Sequence, residues 1–329
     1  MQTIRIGILG AGSIAGRWMR DAHTVPGAAV TCIASRELAR AQAFAEAWHI
    51  PHALGGYEAL VRHPEVDVVY VATPHPFHLA HAELAMRAGK HVLCEKPVAL
   101  NAAQLAHMLA CARAQGVFFM EAMWTRLFPV NLRVKELLAQ GAIGTLRAVH
   151  AQFAFRTDPD PASRLLNPAL GGGALLDVGC YPISYAVDMF GEAPEQVCGT
   201  AHIGQTGVDE QNAVTLRFPG GGLALLFSAV RTGTPTEAVL YGTEGSLRVP
   251  EFYHPTQVFL TRGGTSQCVY EDSFAQEGFA YELAHVCDCV RKGLLESPRM
   301  PHADSMAVMR ITDTLRAQWG LTYPGETEG

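Results

Sequence analysis

The spacing of hydrophobic positions changes near residue 122 of this 329-residue chain. Before that point, short apolar runs of strand length alternate with longer stretches of helical periodicity. Such alternation predicts a doubly wound parallel sheet of the Rossmann type. The predicted strands are residues 3–9, 28–34, 67–72, 91–94 and 117–121, and the predicted helices are residues 16–24, 37–48, 78–88 and 101–115.

After residue 122 the apolar runs follow one another closely, with short loops such as residues 219–222 that favour hairpins. This half is therefore predicted to be an α+β domain with a large, mainly antiparallel open sheet. We expect an α/β protein of two domains, 1–122 and 123–329. The predicted strands of the second domain are residues 149–155, 196–202, 212–218, 222–229, 238–241, 246–249 and 257–261, and its helices are residues 129–140, 173–190, 279–292 and 302–319.

Composition narrows the class of protein. The net charge is -6 and the basic residues are scattered, which argues against a nucleic-acid partner. The eight cysteines are far apart and lack the spacing of zinc or redox motifs, so we expect reduced thiols. No export leader is visible before the first strand, and the longest apolar stretch, residues 223–230, is too short to span a membrane. The sequence thus predicts a cytoplasmic protein without a membrane partner.

A glycine-rich turn follows the first strand and precedes the first helix. Residues 10–15 read G-x-G-x-x-A, the pattern of a dinucleotide-binding turn in this context. Gly10 permits the tight turn, Gly12 lets the backbone approach a pyrophosphate, and Ala15 allows close helix packing. A purely structural glycine turn is the alternative. Ser13 and Ile14, at the start of the helix, belong to the predicted cofactor site.

The end of the second strand predicts the cofactor. Ser35 and Arg36 stand where an NAD site needs a carboxylate for the ribose 2′-hydroxyl, and an arginine there accommodates a 2′-phosphate. Two hydrogen bonds to that phosphate, at roughly 1.5–3 kcal/mol each, favour NADP(H) by about a hundredfold or more. We predict NADP(H). The other cofactor-binding candidates in the first domain are Arg40, Thr73, Pro74, His78, Glu95 and Lys96.

Histidines 75, 78 and 81 have a spacing that invites a metal site. They cannot all lie on one helix face, because His75 precedes the helix. We predict no metal, and a polar contact at the helix start for His78.

Two stretches carry candidate catalytic chemistry. Glu95-Lys96-Pro97 ends a buried strand, where parallel sheets bind ligands, and Pro97 restricts the backbone of Lys96. Asp177 and Tyr181 follow three glycines and are four residues apart, which places both on one face of an α-helix. Each stretch has an ordinary alternative: Lys96 as a solvated strand-end charge, and Asp177 with Tyr181 as satisfied polar groups of a partly buried helix.

These motifs together resemble the Gfo/Idh/MocA oxidoreductase family. The resemblance covers nearly the whole chain. Many members carry His where this chain has Tyr181, and this departure resembles the branch containing dimeric dihydrodiol dehydrogenases, with glucose–fructose oxidoreductase nearby. The residues that carry it are the glycine turn at 7–15, Ala72-Thr73-Pro74, Glu95-Lys96-Pro97, residues 121–126 and residues 172–179.

The resemblance implies NADP(H), a Lys96/Tyr181 pair at the nicotinamide with Asp177 in support, and a sheet whose open face packs against a second subunit. It also implies a cis Lys96–Pro97 bond. We expect a homodimer or a dimer of dimers that transfers a hydride between NADP(H) and a secondary alcohol or carbonyl of a sugar, polyol or trans-dihydrodiol. Trp124 and Arg126 are candidates for closing over the cofactor, although Trp124 fits ordinary packing equally well.

General chemistry defines the two catalytic roles. Oxidising a secondary alcohol needs a base for the hydroxyl proton. A tyrosine has an unperturbed pKa near 10, so its ionisation at pH 7 is about 4 kcal/mol uphill, and a neighbouring ammonium lowers that difference. We assign Tyr181 as acid/base and Lys96 as the cation beside it. The two roles can be exchanged.

Other functions remain open from the sequence. The fold also supports a non-catalytic NADP sensor, or a reductase of a non-sugar substrate such as an imine or a tetrapyrrole. The substrate itself is not predicted. In the loop 156–170, Asp158, Asp160 and Arg164 either contact substrate hydroxyls or are simply solvated.

Overall fold

The computed structural model describes residues 2–274 and 277–326, and the chain forms two compact units. Unit 1 contains Met1–Ala99, Ala103–Trp124 and Phe274–His302, and unit 2 contains Leu100–Ala102, Thr125–Ser273 and Ala303–Gly329. The sequence predicts two continuous domains divided at residue 122, whereas in the structure the chain returns to unit 1 after residue 273. The sequence pattern gave a helix there without showing which sheet or helix it packs on.

Unit 1 is built on a parallel sheet flanked by helices. Its strands are β1 (Ile4–Leu9), β2 (Ala28–Ser35), β3 (His52–Gly55), β4 (Val68–Val71), β5 (His91–Glu95) and β6 (Phe119–Ala122). Its helices are α1 (Ser13–Ala22), α2 (Leu38–Trp48), α3 (Tyr57–Val61), α4 (His78–Arg87), α5 (Ala102–Gln115) and, after the return, α8 (Phe279–Arg291).

The strand order of this sheet is β3-β2-β1-β4-β5-β6, with every pair parallel. This order confirms the predicted Rossmann-type sheet. The order reverses between β1 and β4, which is where such sheets bind dinucleotides. β3 and α3 are absent from the predicted elements because β3 spans only His52–Gly55, too short to show periodicity.

Unit 2 contains a second sheet with helices packed on it. Its strands are β7 (Leu146–Ala154), β8 (Gln196–Ile203), β9 (Asp209–Arg217), β10 (Leu223–Ala229), β11 (Glu237–Gly242), β12 (Ser246–Pro250), β13 (Gln257–Arg262) and β14 (Thr265–Glu271). Its helices are α6 (Pro129–Ala139), α7 (Cys180–Phe190) and α9 (His302–Trp319), whose first residue belongs to unit 1.

The second sheet has the order β14-β13-β12-β11-β7-β10-β9-β8. β7 and β10 pair in parallel and the other neighbours are antiparallel, so the prediction of a mainly antiparallel sheet is confirmed. β14 is absent from the predicted strands because its first four residues, Thr265 to Cys268, are exposed and show no apolar alternation.

One face of the second sheet is covered by α7 and by the π-helical turn Leu175–Gly179 that precedes it. Val149 and Ala151 of β7 are buried, whereas His150 between them is exposed. Exposed apolar side chains on the other face include Leu223, Leu225 and Tyr241, at 47%, 45% and 42% exposure. This sheet is therefore packed on one face and open on the other, as predicted.

Candidate active site

The glycine turn of unit 1 lies at the carboxyl ends of three strands. Gly10 has φ +112°, and its N–H donates to Ala34 O at 3.0 Å. A Cβ on Gly10 would lie 3.0 Å from Ala72 O, so only glycine fits this turn. A Cβ on Gly12 would meet only Ala72 O, at 3.9 Å. The surrounding protein thus leaves the Gly12 backbone accessible, which fits the close approach of a dinucleotide pyrophosphate.

The start of α1 completes this anion-binding geometry. Ser13 is the first residue of the helix and is exposed, Ile14 is partly exposed, and Ala15 is fully buried. The unpaired N–H groups and positive end of a helix N-terminus favour a phosphate. These residues could hold a dinucleotide, and no metal ion is needed for that role.

Two cationic side chains follow β2, with Arg36 directly after the strand and Arg40 in the first turn of α2. Ser35 is 7% exposed, whereas Arg36 and Arg40 are exposed. Both guanidinium groups lie near Tyr57, where their charge partly offsets the rise in pKa that burial gives the tyrosine. The arrangement puts positive charge at the strand end where the ribose 2′ substituent of a dinucleotide binds.

His78 links the end of β4 to the segment after β5. Its Nε2 lies 2.7 Å from Thr73 O and its Nδ1 lies 3.0 Å from Pro97 O. Burial lowers the pKa of His78 to about 4, so the ring is neutral at pH 7 and donates to one of these carbonyls. Because both ring nitrogens face backbone oxygens, the contacts of His78 are those of a positioning group. Pro74 beside it is exposed.

The end of β5 holds a buried carboxyl next to Lys96. Glu95 is 7% exposed, accepts from the Tyr70 hydroxyl at 2.5 Å, and accepts from the Lys96 backbone N–H at 3.1 Å. Burial raises the pKa of Glu95, and these two hydrogen bonds oppose the increase. The Lys96–Pro97 peptide bond is cis, as predicted. The strand end is thus fixed through the carboxyl of Glu95 as well as through Pro97.

A second buried acid, which the sequence reading missed, approaches this cluster from α8. Glu282 is fully buried, and burial together with the charge of Glu95 raises its pKa well above the ordinary value. The Trp18 indole opposes part of that increase, although among the described residues neither Glu282 oxygen has a hydrogen bond of normal geometry. Trp18 stacks on Tyr70 with ring centroids 4.6 Å apart. The periodicity Phe279, Glu282, Leu283, Val286 was a signal that Glu282 lies on the buried face.

Trp124 lies in unit 1 and stacks on Phe279, with ring centroids 4.3 Å apart and planes at 14°. The Arg17 guanidinium lies 6.0 Å from the Trp124 ring and 5.7 Å from the Phe279 ring. These contacts are those of the packing alternative, and the role of Trp124 at a cofactor stays a prediction.

Arg126 lies in unit 2 with its guanidinium buried. It donates to Ser184 Oγ at 3.1 Å and to Ser184 O at 3.0 Å, and it pairs with Asp188 and Asp304. Buried charges are normally paired in this way. The contacts are those of a structural ion pair, so a cofactor contact for Arg126 stays a prediction without support from its surroundings.

Unit 2 carries the other two predicted catalytic residues. Asp177 belongs to the π-helical turn Leu175–Gly179, and Tyr181 lies in the first turn of α7. The two residues lie on either side of the junction between this turn and α7, and the placement of both side chains on one face stays a prediction. π-helical turns occur frequently at functional sites.

The surroundings of these two side chains are charged on one side and aromatic on the other. Arg164 Nη1 donates to Asp177 Oδ1 at 2.9 Å, so Arg164 of the loop 156–170 forms an ion pair and is more than a solvated charge. Tyr181 is 7% exposed, and its ring centroid lies 5.3 Å from that of Phe153 and 6.1 Å from that of Tyr253.

The part of the chain that the structure describes contains no cluster of three His, Cys, Asp or Glu side chains that could hold a metal ion. The same residues contain no helix that combines the length and hydropathy needed to cross a membrane.

Two family models match this sequence. Residues 4–123 match the oxidoreductase family with an NAD-binding Rossmann fold, GFO_IDH_MocA, and residues 131–248 match the GFO/IDH/MocA C-terminal domain. The chain belongs to the Gfo/Idh/MocA oxidoreductase family.

Individual relatives narrow the class. A trans-1,2-dihydrobenzene-1,2-diol dehydrogenase of Danio rerio is 42% identical, and the match covers 99% of both chains. A 3-ketoreductase of Actinomadura kijaniata, solved with NADP and TDP-benzene, is 30% identical with a TM-score of 0.86 and covers 96% of this chain and 98% of its own. Structures of that enzyme include variants with one lysine changed to alanine or glutamate and one tyrosine changed to phenylalanine.

A third relative is the aldose–aldose oxidoreductase of Caulobacter crescentus, solved with glycerol. It is 26% identical, has a TM-score of 0.88, and covers 97% of this chain and 98% of its own. Together these relatives identify the chain as an NAD(P)-dependent oxidoreductase, a dehydrogenase or reductase that acts on CH–OH groups. Because the chain belongs to this class of enzymes, the alternative of a non-catalytic NADP sensor is set aside.

Proposed function

We propose that this chain is an NADP(H)-dependent dehydrogenase that oxidises a secondary alcohol of a trans-dihydrodiol, sugar or polyol, or reduces the matching carbonyl. The observation that carries the proposal is the 42% identity, over 99% of both chains, to a trans-1,2-dihydrobenzene-1,2-diol dehydrogenase. The two solved relatives support the wider substrate range, since one is a ketoreductase and the other an aldose–aldose oxidoreductase.

The preference for NADP(H) is supported by the end of β2. Arg36 follows the strand directly, and Arg40 adds a second cation from the first turn of α2. Ser35 adds a hydroxyl, and no carboxylate stands at residue 35 or 36 for a ribose 2′-hydroxyl. The NADP bound to the Actinomadura ketoreductase is consistent with this choice. The dinucleotide would be held by Gly10, Gly12, Ser13 and Ile14 at its pyrophosphate, and by Ser35, Arg36 and Arg40 at its 2′-phosphate.

The proton is handled by Lys96 and Tyr181 in this proposal. The nicotinamide, when bound, supplies or accepts the hydride. Tyr181 takes the hydroxyl proton during oxidation and returns it during reduction, while the Lys96 ammonium favours the ionised phenol. Asp177, held by Arg164, supports the segment that carries Tyr181. The reverse assignment, with Lys96 as the base, uses the same residues.

The side chains around Tyr181 favour a cyclic substrate. Phe153 and Tyr253 lie beside its ring and are only partly buried. An aromatic wall packs well on the apolar face of a diene ring or of a pyranose, and the Asp177–Arg164 pair provides polar partners for hydroxyl groups. A cyclic diol or sugar fits this mixture better than a charged open-chain acid.

A substrate panel tests this function. Purified enzyme is mixed with NADP⁺ or NAD⁺ and with trans-1,2-dihydrobenzene-1,2-diol, aldoses, polyols or glycerol, and formation of the reduced cofactor is followed by absorbance. We expect turnover of the diol or an aldose with NADP⁺. Absence of turnover with every alcohol and every matching carbonyl would refute the proposal.

A second candidate substrate class is a ketone outside the simple sugars. The likeness to a 3-ketoreductase that was solved with a nucleotide-linked ligand favours it. Adding keto-sugars and non-sugar ketones with NADPH to the panel distinguishes the two classes. Reduction of such a ketone, without turnover of any simple sugar or diol, would favour this second class.

A homodimer, or a dimer of dimers, is proposed through the open face of the second sheet. Leu223, Leu225 and Tyr241 expose apolar surface there, and such surface is typical of an interface. Leu225→Glu should shift the sedimentation coefficient to that of the monomer, while Leu294→Glu, an exposed leucine of unit 1, should not. A wild-type monomer at micromolar concentration would contradict this assembly.

A cytoplasmic location is supported by the eight free cysteines.

A further inference from the structure

A buried carboxyl in unit 2 holds the segment from which Asp177 and Tyr181 project. Asp209, the first residue of β9, is fully buried. Its Oδ2 accepts from the Leu175 backbone N–H at 2.8 Å, and Leu175 is the first residue of the π-helical turn. This side chain therefore caps the beginning of the turn, although it lies on a distant strand.

The other end of the same turn contacts side chains that are hydrogen-bonded to Asp209. Asn212 donates to Asp209 Oδ2 at 2.8 Å and accepts from Ser228 Oγ at 2.8 Å across the β9–β10 pair. A Cβ on Gly179, the last residue of the turn, would lie 2.8 Å from that Ser228 Oγ. Three linked side chains thus contact both the first and the last residue of the π-helical turn.

The glycines before the turn show how closely the chain approaches this network. A side chain on Gly173 would collide with Asp209 Oδ1, and φ at Gly173 is +120°, which also favours glycine. Tyr323 donates to Gly172 O at 2.7 Å. Packing therefore requires two of the three glycines, Gly172 because a Cβ would lie 2.8 Å from Leu165 O and Gly173 because a Cβ would collide with Asp209.

The carboxyl of Asp209 is held at a cost in free energy. Burial raises its pKa to about 7, although Asn212 and the Leu175 N–H both stabilise its charged form. Among the described residues its Oδ1 has no hydrogen-bond donor. A buried acid of this kind is unfavourable for folding on its own, so a role at the turn it caps is a sufficient reason for its presence.

We propose that Asp209 is a positioning residue, which fixes the π-helical turn Leu175–Gly179 and thereby sets where Asp177 and Tyr181 point. The inference rests on the proposed function of those two side chains. It predicts that Asp209 affects turnover through Tyr181 and has no part in dinucleotide binding.

The first experiment compares Asp209→Ala with Asp209→Asn. Alanine removes the acceptor of the Leu175 N–H and should lower kcat at least about tenfold, since small misplacements of reacting groups have effects of that size. Asparagine keeps one oxygen as acceptor and should stay within about threefold of wild type. The dissociation constant for NADPH, measured by fluorescence, should be unchanged in both. Glu192→Gln, an exposed acid just after α7, is the control and should retain kcat.

A double-mutant cycle then tests the route of the effect. In a Tyr181→Phe background, Asp209→Ala should lower the residual rate by less than about twofold, because the group it positions is already absent. The same tenfold loss in both backgrounds would overturn the inference, and so would wild-type kcat in Asp209→Ala. If Tyr181→Phe alone keeps full activity, the proposed acid/base role fails, which is a distinct result that also removes the basis for positioning.

A second variant covers the case in which Asp209→Ala does not fold. Gly179→Ala places a Cβ against Ser228 Oγ and should lower kcat in the same way, and adding Ser228→Ala should restore part of it. Unchanged kcat in Gly179→Ala would contradict the inference without use of any Asp209 variant.

Discussion

Each unit holds its proposed reactive side chains through a buried carboxyl, but the two carboxyls differ in how far along the chain they act. In unit 1, Glu95 precedes Lys96 directly and bonds to its backbone N–H. In unit 2, Asp209 lies on another element and reaches back to Leu175. The contact of Glu95 with Lys96 joins neighbouring residues of one short motif, whereas the contact of Asp209 with Leu175 forms only when distant parts of the chain have folded together. Local and long-range anchoring should therefore respond differently to substitution.

The largest expected effect concerns the two reactive side chains. Lys96→Met and Tyr181→Phe should each lower kcat at least about a hundredfold, because each removes a group that the proposed mechanism uses in proton transfer. NADPH binding, measured by fluorescence, controls for folding. Activity near wild type in either variant would break the comparison, since only one unit would then supply a reacting group.

The next effect separates binding in unit 1 from the chemistry assigned to unit 2. Arg36→Ala should weaken NADP(H) binding by about tenfold or more, because it removes a charged hydrogen bond to the 2′-phosphate, and should leave NAD(H) binding almost unchanged. Titration of both cofactors measures the ratio, and Arg113→Ala, an exposed arginine on α5, is the control. An equal loss for both cofactors would assign Arg36 to a contact other than the 2′-phosphate.

Two buried acids with raised pKa values, one in each unit, should affect the pH dependence of stability. Glu282 and Asp209 both have raised pKa values in the folded chain, so folding takes up protons and the free energy of unfolding falls as pH rises. The slope for one such group is at most about 1.4 kcal/mol per pH unit. Asp209→Asn should remove a slope that ends near pH 7, and Glu282→Gln should remove one that extends well above the ordinary pKa of a glutamate.

Urea unfolding at several pH values measures these slopes. Parallel curves for wild type and Glu282→Gln at all pH values above the ordinary pKa of a glutamate would mean that the pKa of Glu282 is not raised in the folded state. A wild-type slope between pH 5 and pH 7 that persists in Asp209→Asn would assign that slope to another group.

The smallest effect compares two fully buried tyrosines, one in each unit. The Tyr70 hydroxyl donates to Glu95, whereas among the described residues the Tyr185 hydroxyl has no hydrogen-bond partner. Tyr70→Phe should lower the free energy of unfolding by about 1 kcal/mol or more, and Tyr185→Phe should be neutral or slightly stabilising. The two changes delete the same atom, so equal losses in urea unfolding would show that the hydrogen bond to Glu95 contributes nothing.

The sequence was sufficient for the parts of the fold that depend on local pattern. The parallel sheet, the glycine turn and the end of β5 each lie in one continuous stretch, so strand periodicity and the placement of Gly10, Gly12 and Lys96 could be predicted. The cis bond before Pro97 came from the family resemblance and not from spacing.

The parts that could not be predicted depend on contacts between distant residues. Arg164 looked like a solvated loop charge because its partner, Asp177, lies in another element. Glu282 lies inside the predicted helix 279–292 and Asp209 lies just before the predicted strand 212–218, and nothing in either local pattern singles out these acids. The π-helical turn was also hidden, because Asp209 and Ser228 stabilise it from other strands. Local sequence carries no signal for such a turn.

The return of the chain to unit 1 has a consequence for how the protein is made. α8 packs on α1, Asp21 accepts the backbone N–H groups of Glu277 and Phe279, and Phe279 stacks on Trp124. None of these contacts can form on a ribosome that has synthesised only the first third of the chain. At about 5–20 residues per second, the early segments wait on the order of ten seconds or more for α8, with the apolar surface of α1 uncovered. Nascent chains of this enzyme should therefore depend on chaperones until late in translation.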